Sequence, residues 1–272
     1  MDVTYYPGCS LESSARDYDE SIKAVCAALD VRLHELPDWT CCGATSAHSV
    51  DKELAISLPA LNLSAAEQIG NDIVVPCPLC FNRLKRAEDS VRSSVGIYDL
   101  GAFMGQAEWI DKIRSLVTHP LEGLKAVCYY GCMANRPPKV TGSSDYENPC
   151  DMDNIAEALG VDVRPWSYKT DCCGASFSVS RQDIVFTLVK NLYDKALEAR
   201  AECIIVSCQM CQANLDLYQR DISKQFGADY NIPVFYFTEL IGLALGLAGS
   251  STWLKRHMVD PFQLLKKKKF LS

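Results

Sequence analysis

Ten of the fourteen cysteines in this 272-residue chain follow one pattern, written twice. Cys41-Cys42-Gly43 returns as Cys172-Cys173-Gly174, and Ala44 and Ala175 extend the match. A C-x-x-C follows each pair, Cys77 and Cys80 in the first half, Cys208 and Cys211 in the second. Cys77 comes 35 residues after Cys42, and Cys208 comes 35 after Cys173. Cys9 and Cys132 precede their pairs by 32 and 40 residues, which completes two sets of five.

Thiols spaced in this way suit three kinds of chemistry. C-x-x-C alone serves zinc, iron–sulfur clusters and thioredoxin-like exchange. Thioredoxin-like exchange uses two cysteines and leaves the others unexplained. A structural zinc takes four ligands in a tetrahedron. Consecutive residues send their side chains apart, so two neighbouring sulfurs reach one ion only through a strained turn. Two sulfurs addressing different irons of one cluster are easier to accommodate, and five cysteines exceed what one zinc or one cubane requires. A vicinal disulfide is strained. The spacing therefore favours a polynuclear iron–sulfur cluster in each half over zinc. Cys26, Cys128, Cys150 and Cys203 have no counterpart in the opposite half and read as small buried hydrophobes.

The rest of the composition bounds the setting. Hydrophobic content of 48% and charged content of 22% are those of a globular protein with a proper core. A net charge of −7 with no basic, aromatic-interleaved stripe argues against a nucleic-acid partner. Met1 to Tyr6 has no basic region followed by an apolar one, so no signal peptide is read. The longest apolar stretch, Leu240 to Ala248, is too short to span a bilayer. These features place the chain in the cytoplasm, where clustered cysteines bind metal or do redox chemistry rather than form disulfides. Lys266 to Lys269 reads as a solvated tail.

The elements that must position the cysteines repeat as well. In the first half, strands are expected at 3–6, 31–36, 73–75 and 95–100, with helices over 12–29, 51–69 and 81–91. Pro59 predicts a kink or a late start in the second of these helices. In the second half, strands are expected at 126–130, 161–163, 203–206 and 234–237, with helices over 153–159, 182–200 and 213–226. Alternating strands and helices imply an α/β fold of two pseudo-repeated half-domains, each a small, mostly parallel sheet with flanking helices. The halves are expected at 1–123, which includes a linker with a helix near 109–117, and at 124–272. A Pro/Gly/Ser loop at 137–149 lengthens the second half, and the segment from Thr238 onward has no evident partner in the first. The cysteines fall where strands end and helices begin, the usual place for a site in such folds. Helix N-termini there favour thiolates over thiols. Gly43 and Gly174 suit a turn with positive φ and a close approach of backbone to a cofactor.

This doubled signature resembles, over almost the whole chain, the tandem cysteine-rich CCG-domain family of heterodisulfide reductase B subunits. The runs Glu239 to Gly246 and His257 to Pro261 resemble that family too. The resemblance implies a noncubane 4Fe–4S cluster in each half. By position, Cys9, Cys41, Cys42, Cys77 and Cys80 hold the first, and Cys132, Cys172, Cys173, Cys208 and Cys211 the second. It implies reduction of a small-molecule disulfide, that of coenzyme M and coenzyme B in the family, to two thiols between clusters facing a common cleft. It implies partners in the same complex as well, a ferredoxin-like subunit and, behind it, a flavin-containing subunit. The chain shows no C-x-x-C-x-x-C run and no Gly-rich nucleotide loop of its own.

Two other readings compete. An electron-relay CCG subunit of a dehydrogenase or other oxidoreductase complex would pass electrons without binding the disulfide. Many such relatives carry a fused ferredoxin-like segment or replaced motif cysteines, and this sequence shows neither. A structural protein stapled by zinc would use the cysteines only to hold loops. His48, Arg83, Lys85, Arg136, Lys139 and Arg181 lie near the motifs and read as solvated charges or as holders of an anionic substrate. His48 is also a candidate proton donor; its counterpart is Val179.

Overall fold

The computed structural model describes residues 1–271. Eight short strands form two four-stranded sheets whose neighbours are all parallel. The first contains β1 (Asp2–Tyr5), β2 (Arg32–Glu35), β3 (Ile73–Val75) and β4 (Ile97–Asp99), in the order β2-β1-β3-β4. The second contains β5 (Lys125–Tyr129), β6 (Asp162–Val163), β7 (Cys203–Val206) and β8 (Val234–Tyr236), in the order β6-β5-β7-β8. The two topologies are identical. The inner strands β3 and β7 are buried throughout, as their continuous apolar runs require of a parallel sheet covered on both faces. β2 is largely exposed because it stands at an edge.

Several elements depart from the sequence expectation for identifiable reasons. The helix expected from Phe81 begins at Pro78, because proline at the first helical position has its φ preset and lacks only a donor that would go unpaired there. Its equivalent begins at Gln209 and breaks at Tyr218 into two helices, Gln209–Leu217 and Gln219–Phe226. The helix Leu54–Ile69 starts later than expected and still takes Pro59 inside. The repeat also runs further than the sequence suggests. The helix Phe237–Ala244 follows β8 as Leu100–Met104 follows β4, so the start of the C-terminal segment does have a counterpart. Lys268 is not a free solvated charge, since its Nζ lies 2.6 Å from Glu202.

The halves share one apolar core that runs from Val3 and Tyr18 through Val127 to Tyr236 and Leu240. A smaller cluster around Tyr6, Leu63, Val75 and Leu84 belongs to the first half. Helix Arg16–Ala28 packs on helix Phe237–Ala244, and Ser21 and Thr238 share a buried hydrogen bond at 2.7 Å. Cys26, Cys128 and Cys203 are buried as expected. Cys150 is exposed, contrary to expectation, because it ends the polar 137–149 loop and its thiol donates to the Asn148 carbonyl.

Candidate metal centre

In each sheet the chain leaves the central strand, adds a neighbour on one side, then returns to the other side. Loops leaving β1 and β3 therefore part at their carboxyl ends and open a crevice, the topological switch point of an α/β sheet. Cys9 follows β1, Cys41 and Cys42 follow β2, and Cys77 and Cys80 follow β3. In the second half Cys132, Cys172, Cys173, Cys208 and Cys211 follow β5, β6 and β7 in the same way. The structure brings together all five members of each set.

Adjacent sulfurs do part, as the sequence argument requires. Cys42 Sγ lies 3.1 Å from Cys80 Sγ, whereas Cys41 Sγ turns back to accept the Gly43 N–H at 3.4 Å. Cys173 Sγ lies 3.6 Å from Cys211 Sγ, and Cys172 Sγ accepts the Gly174 N–H at 3.3 Å. Two thiolates on one metal, each at about 2.3 Å, would stand roughly 3.7 Å apart. The Cys173–Cys211 pair already stands at the separation that shared ligation demands, and the Cys42–Cys80 pair is closer than that.

The protons are unevenly divided within each set. A bond from Cys80 holds Cys77 down to about 7, helped by Gln209 and by N–H groups at the start of the helix it caps. Cys80 also holds Cys42 down, and its own thiol is raised by its contacts with both sulfurs and by burial. In the second set Cys132 holds Cys172 down to about 6, and Cys211 holds Cys173 down. Two members of each set are therefore inclined to present thiolates, the form that binds metal, while Cys9 and Cys80 in the first and Cys132 and Cys211 in the second hold their protons more tightly.

Two pairs of residues shape these sites although the cysteine pattern does not include them. Gly8 and Gly131 have φ of 72° and 66°, and a Cβ on them would stand 3.0 Å from Cys80 Sγ and 2.8 Å from Cys211 Sγ. They let the backbone pass close to the sulfurs. Gly43 and Gly174 have positive φ as expected, but a Cβ there would meet Ala47 and Leu58, or Leu188 and Val185. Their close approach is to helices, not to the sulfurs. Tyr6 and Tyr129 are fully buried beneath their sets, and their hydroxyls donate to the carbonyls of Thr40 and Asp171 at 2.7 and 2.6 Å. They tie down the residue before each cysteine pair. The signal for these residues is the repeated Tyr-x-Gly-Cys, at 6–9 and 129–132.

A cleft of about 400 Å³ opens on the first set, with Cys9, Cys41, Cys42, Cys77 and Cys80 in its wall. The second half supplies the opposite wall from Ala175 to Val179 and from Gln209 and Met210. The second set does not itself line this cleft. Gln209 crosses between the halves, its Nε2 donating to Cys77 Sγ at 2.8 Å. His48, an exposed side chain, lines the cleft, and Arg83 lies beside Cys42. Arg136 donates to Thr170, Lys85 and Arg181 pair with Glu88 and Asp183, and Lys139 is exposed away from the cleft.

The donors fit an iron–sulfur group. Each set offers five sulfurs where a tetrahedral zinc takes four. The backbone at Gly8 and Gly131 leaves the space beside the sulfurs open.

Comparison with known proteins agrees with this construction. The family described as a cysteine-rich domain, CCG, matches residues 3–85 and 126–216. The 8-methylmenaquinol:fumarate reductase membrane anchor subunit of Wolinella succinogenes is 29% identical, over 97% of this chain and 99% of its own. The B subunit of the ferredoxin:CoB-CoM heterodisulfide reductase of Methanosarcina mazei is 25% identical, over 97% of this chain and 96% of its own. The crystal structure of a hypothetical protein from Helicobacter pylori superposes with a TM-score of 0.68 at 12% identity, over 94% of this chain and 52% of that one, a likeness of fold. No helix among the described residues is long and apolar enough to cross a membrane. With both five-cysteine crevices falling inside the two matched segments, this chain belongs to the CCG cysteine-rich domain family.

Proposed function

We propose that the chain is the iron–sulfur subunit of a multi-subunit oxidoreductase and that its ten motif cysteines hold two noncubane 4Fe–4S clusters. Cys9, Cys41, Cys42, Cys77 and Cys80 take one, and Cys132, Cys172, Cys173, Cys208 and Cys211 take the other. When bound, these groups supply one-electron transfer at each set. The doubling carries the reading: two five-sulfur crevices on sheets of the same topology, joined through the Gln209–Cys77 hydrogen bond, suit a substrate that changes by two electrons.

The substrate class we favour is a disulfide, the CoB-CoM heterodisulfide being the one named for the Methanosarcina mazei relative. Its reduction breaks one S–S bond, consumes two electrons and two protons, and forms two thiols. The electrons come from the ferredoxin-like and flavin-containing partner subunits, in the cytoplasm. His48, which lines the cleft, would supply a proton in this reading. The two functional units are residues 1–123 and 124–272.

A second reading has its own support. Apart from cysteines, His48 is the sole ionisable side chain among the described residues lining the cleft. A disulfide carrying sulfonate, carboxylate and phosphate groups would find no lysine or arginine on these walls. Relay of electrons in a quinol-linked complex, as the name of the Wolinella succinogenes relative suggests, needs none.

The anaerobically purified complex separates these readings. Iron and sulfide near stoichiometry with the motif cysteines are expected, and zinc alone would overturn both. Heterodisulfide-dependent oxidation of a reduced dye supports the first. Electron passage from a quinol without heterodisulfide reduction supports the second.

A further inference from the structure

A shift of 131 residues lays Cys41, Cys42, Cys77 and Cys80 on Cys172, Cys173, Cys208 and Cys211, so the surroundings can be compared position by position. Three of the positions that differ set a charge or a donor beside a ligand sulfur. Gln209, inside the second C-x-x-C, faces Pro78 inside the first. Gln209 is 4% exposed and donates to Cys77 Sγ at 2.8 Å, while Pro78 has no donor to return to Cys208. The Oε1 of Gln209 is buried without a partner, so the contact with Cys77 is the side chain's one hydrogen bond among the described residues.

The other two differences act in the same direction. Arg83 places a cation beside Cys42, where its counterpart Asn214 is neutral. Asn214 Nδ2 donates to the Cys173 carbonyl at 3.0 Å and stands 3.7 Å from Cys173 Sγ, a longer contact than that of Gln209. Asp171 sets a negative charge beside Cys172, where the first half has the neutral Thr40.

We infer that Gln209, by donating across the boundary between halves to Cys77, makes the first five-cysteine set the stronger electron acceptor of the two. The inference rests on the iron–sulfur reading above. Donors and positive charge near ligand sulfurs stabilise the reduced, more negative state and so raise its potential. The first set is also the one that lines the cleft. An electron shared between the sets therefore rests beside the small molecule, and the second set serves as its supply. Gln209 acts through Cys77 and is a positioning residue.

Potentiometric titration of the anaerobic complex, followed by electron paramagnetic resonance with iron counted per chain, tests this. Wild type is expected to titrate in two steps. Gln209→Leu should lower the upper step, shifting the electron's partition about tenfold, or about 59 mV for one electron, with the lower step unmoved. Asp171→Asn should raise the lower step alone, which assigns the steps to the sets independently. Gln209→Met, similar in length and bulk but without the donor, repeats the measurement should the leucine variant shed iron. A single step in wild type, or two steps that neither Gln209 variant moves, overturns the inference. Loss of iron from both Gln209 variants would make the residue a structural prop and overturns it too. Wild-type protein without iron would instead remove the iron–sulfur reading, and the inference with it.

Discussion

The Tyr18 ring lies flat on Tyr236, with centroids 4.0 Å apart and planes 5° apart, and its hydroxyl donates to the Ser207 carbonyl at 2.9 Å. Tyr18 belongs to the first half, while Ser207 immediately precedes Cys208 in the second. The first half is thereby keyed into the floor of the second cysteine set. Tyr18→Phe should cost about 1–2 kcal/mol by leaving that carbonyl unpaired. Tyr18→Ala should cost about 3–5 kcal/mol through the cavity it opens. Denaturant midpoints measure both, and equal losses in the two variants would contradict this account.

The glycines beside the sulfurs should be less replaceable than their exposure suggests. Gly131→Ala puts a methyl 2.8 Å from Cys211 Sγ at a φ of +66°, where side chains are strained by roughly 1–3 kcal/mol. Iron per chain is expected to fall by about half, the first set remaining loaded. Gly123→Ala shares the positive φ but meets no atom, and it should cost stability without loss of iron.

Cysteines inside and outside the sets should separate cleanly. Cys173→Ala removes a buried member of the second set and should abolish metal binding there, with turnover lost and the fold largely kept. Cys150→Ala removes an exposed thiol that belongs to neither set and should change neither iron content nor activity. Elemental analysis beside activity checks both, and full activity in Cys173→Ala would contradict the paired-site function.

Stability should fall as pH rises, through a buried trio that ties the C-terminal segment to the first half. His257 Nε2 lies 2.8 Å from Glu239 and 3.9 Å from Asp17. Burial alone would lower the His257 pKa, but Glu239, Asp216 and Asp17 carry it up to about 9. Burial and Glu239 push Asp17 up to about 6. Both groups hold their protons more tightly when folded, so each contributes stability below its unfolded pKa and loses it as pH rises through the folded value. For Asp17 that window runs from about 4 to about 6, and for His257 from about 6.5 to about 9. Unfolding free energy should drop between pH 6.5 and 9, and His257→Gln should flatten that slope while destabilising the protein at pH 6.

The sites are legible in the sequence to different depths. Ligand candidates repeat as residue types at fixed spacing, so all ten cysteines can be named, and the structure gathers them into two sets. Gly8, Gly131, Tyr6 and Tyr129 are written in a shorter repeat whose meaning depends on what lies opposite each backbone turn. The exposure of Cys150 escapes the sequence because burial is a property of the fold and not of the residue. The helix starts at Pro78 and Gln209 escape it because the apolar period begins one turn later than the helix itself.

The amino-acid sequence by itself determined the α/β repeat, the membership of each cysteine set and the divergence of its adjacent sulfurs. Those depend on local periodicity and on the geometry of consecutive residues, which spacing records. Only the tertiary structure decided which set lines the cleft and which one Gln209 reaches. Gln209 reaches Cys77 across 132 residues of chain, and the cleft is walled by one set and by the loop following the other. Such contacts arise from the packing of two halves around a common core, and nothing in either half alone specifies them.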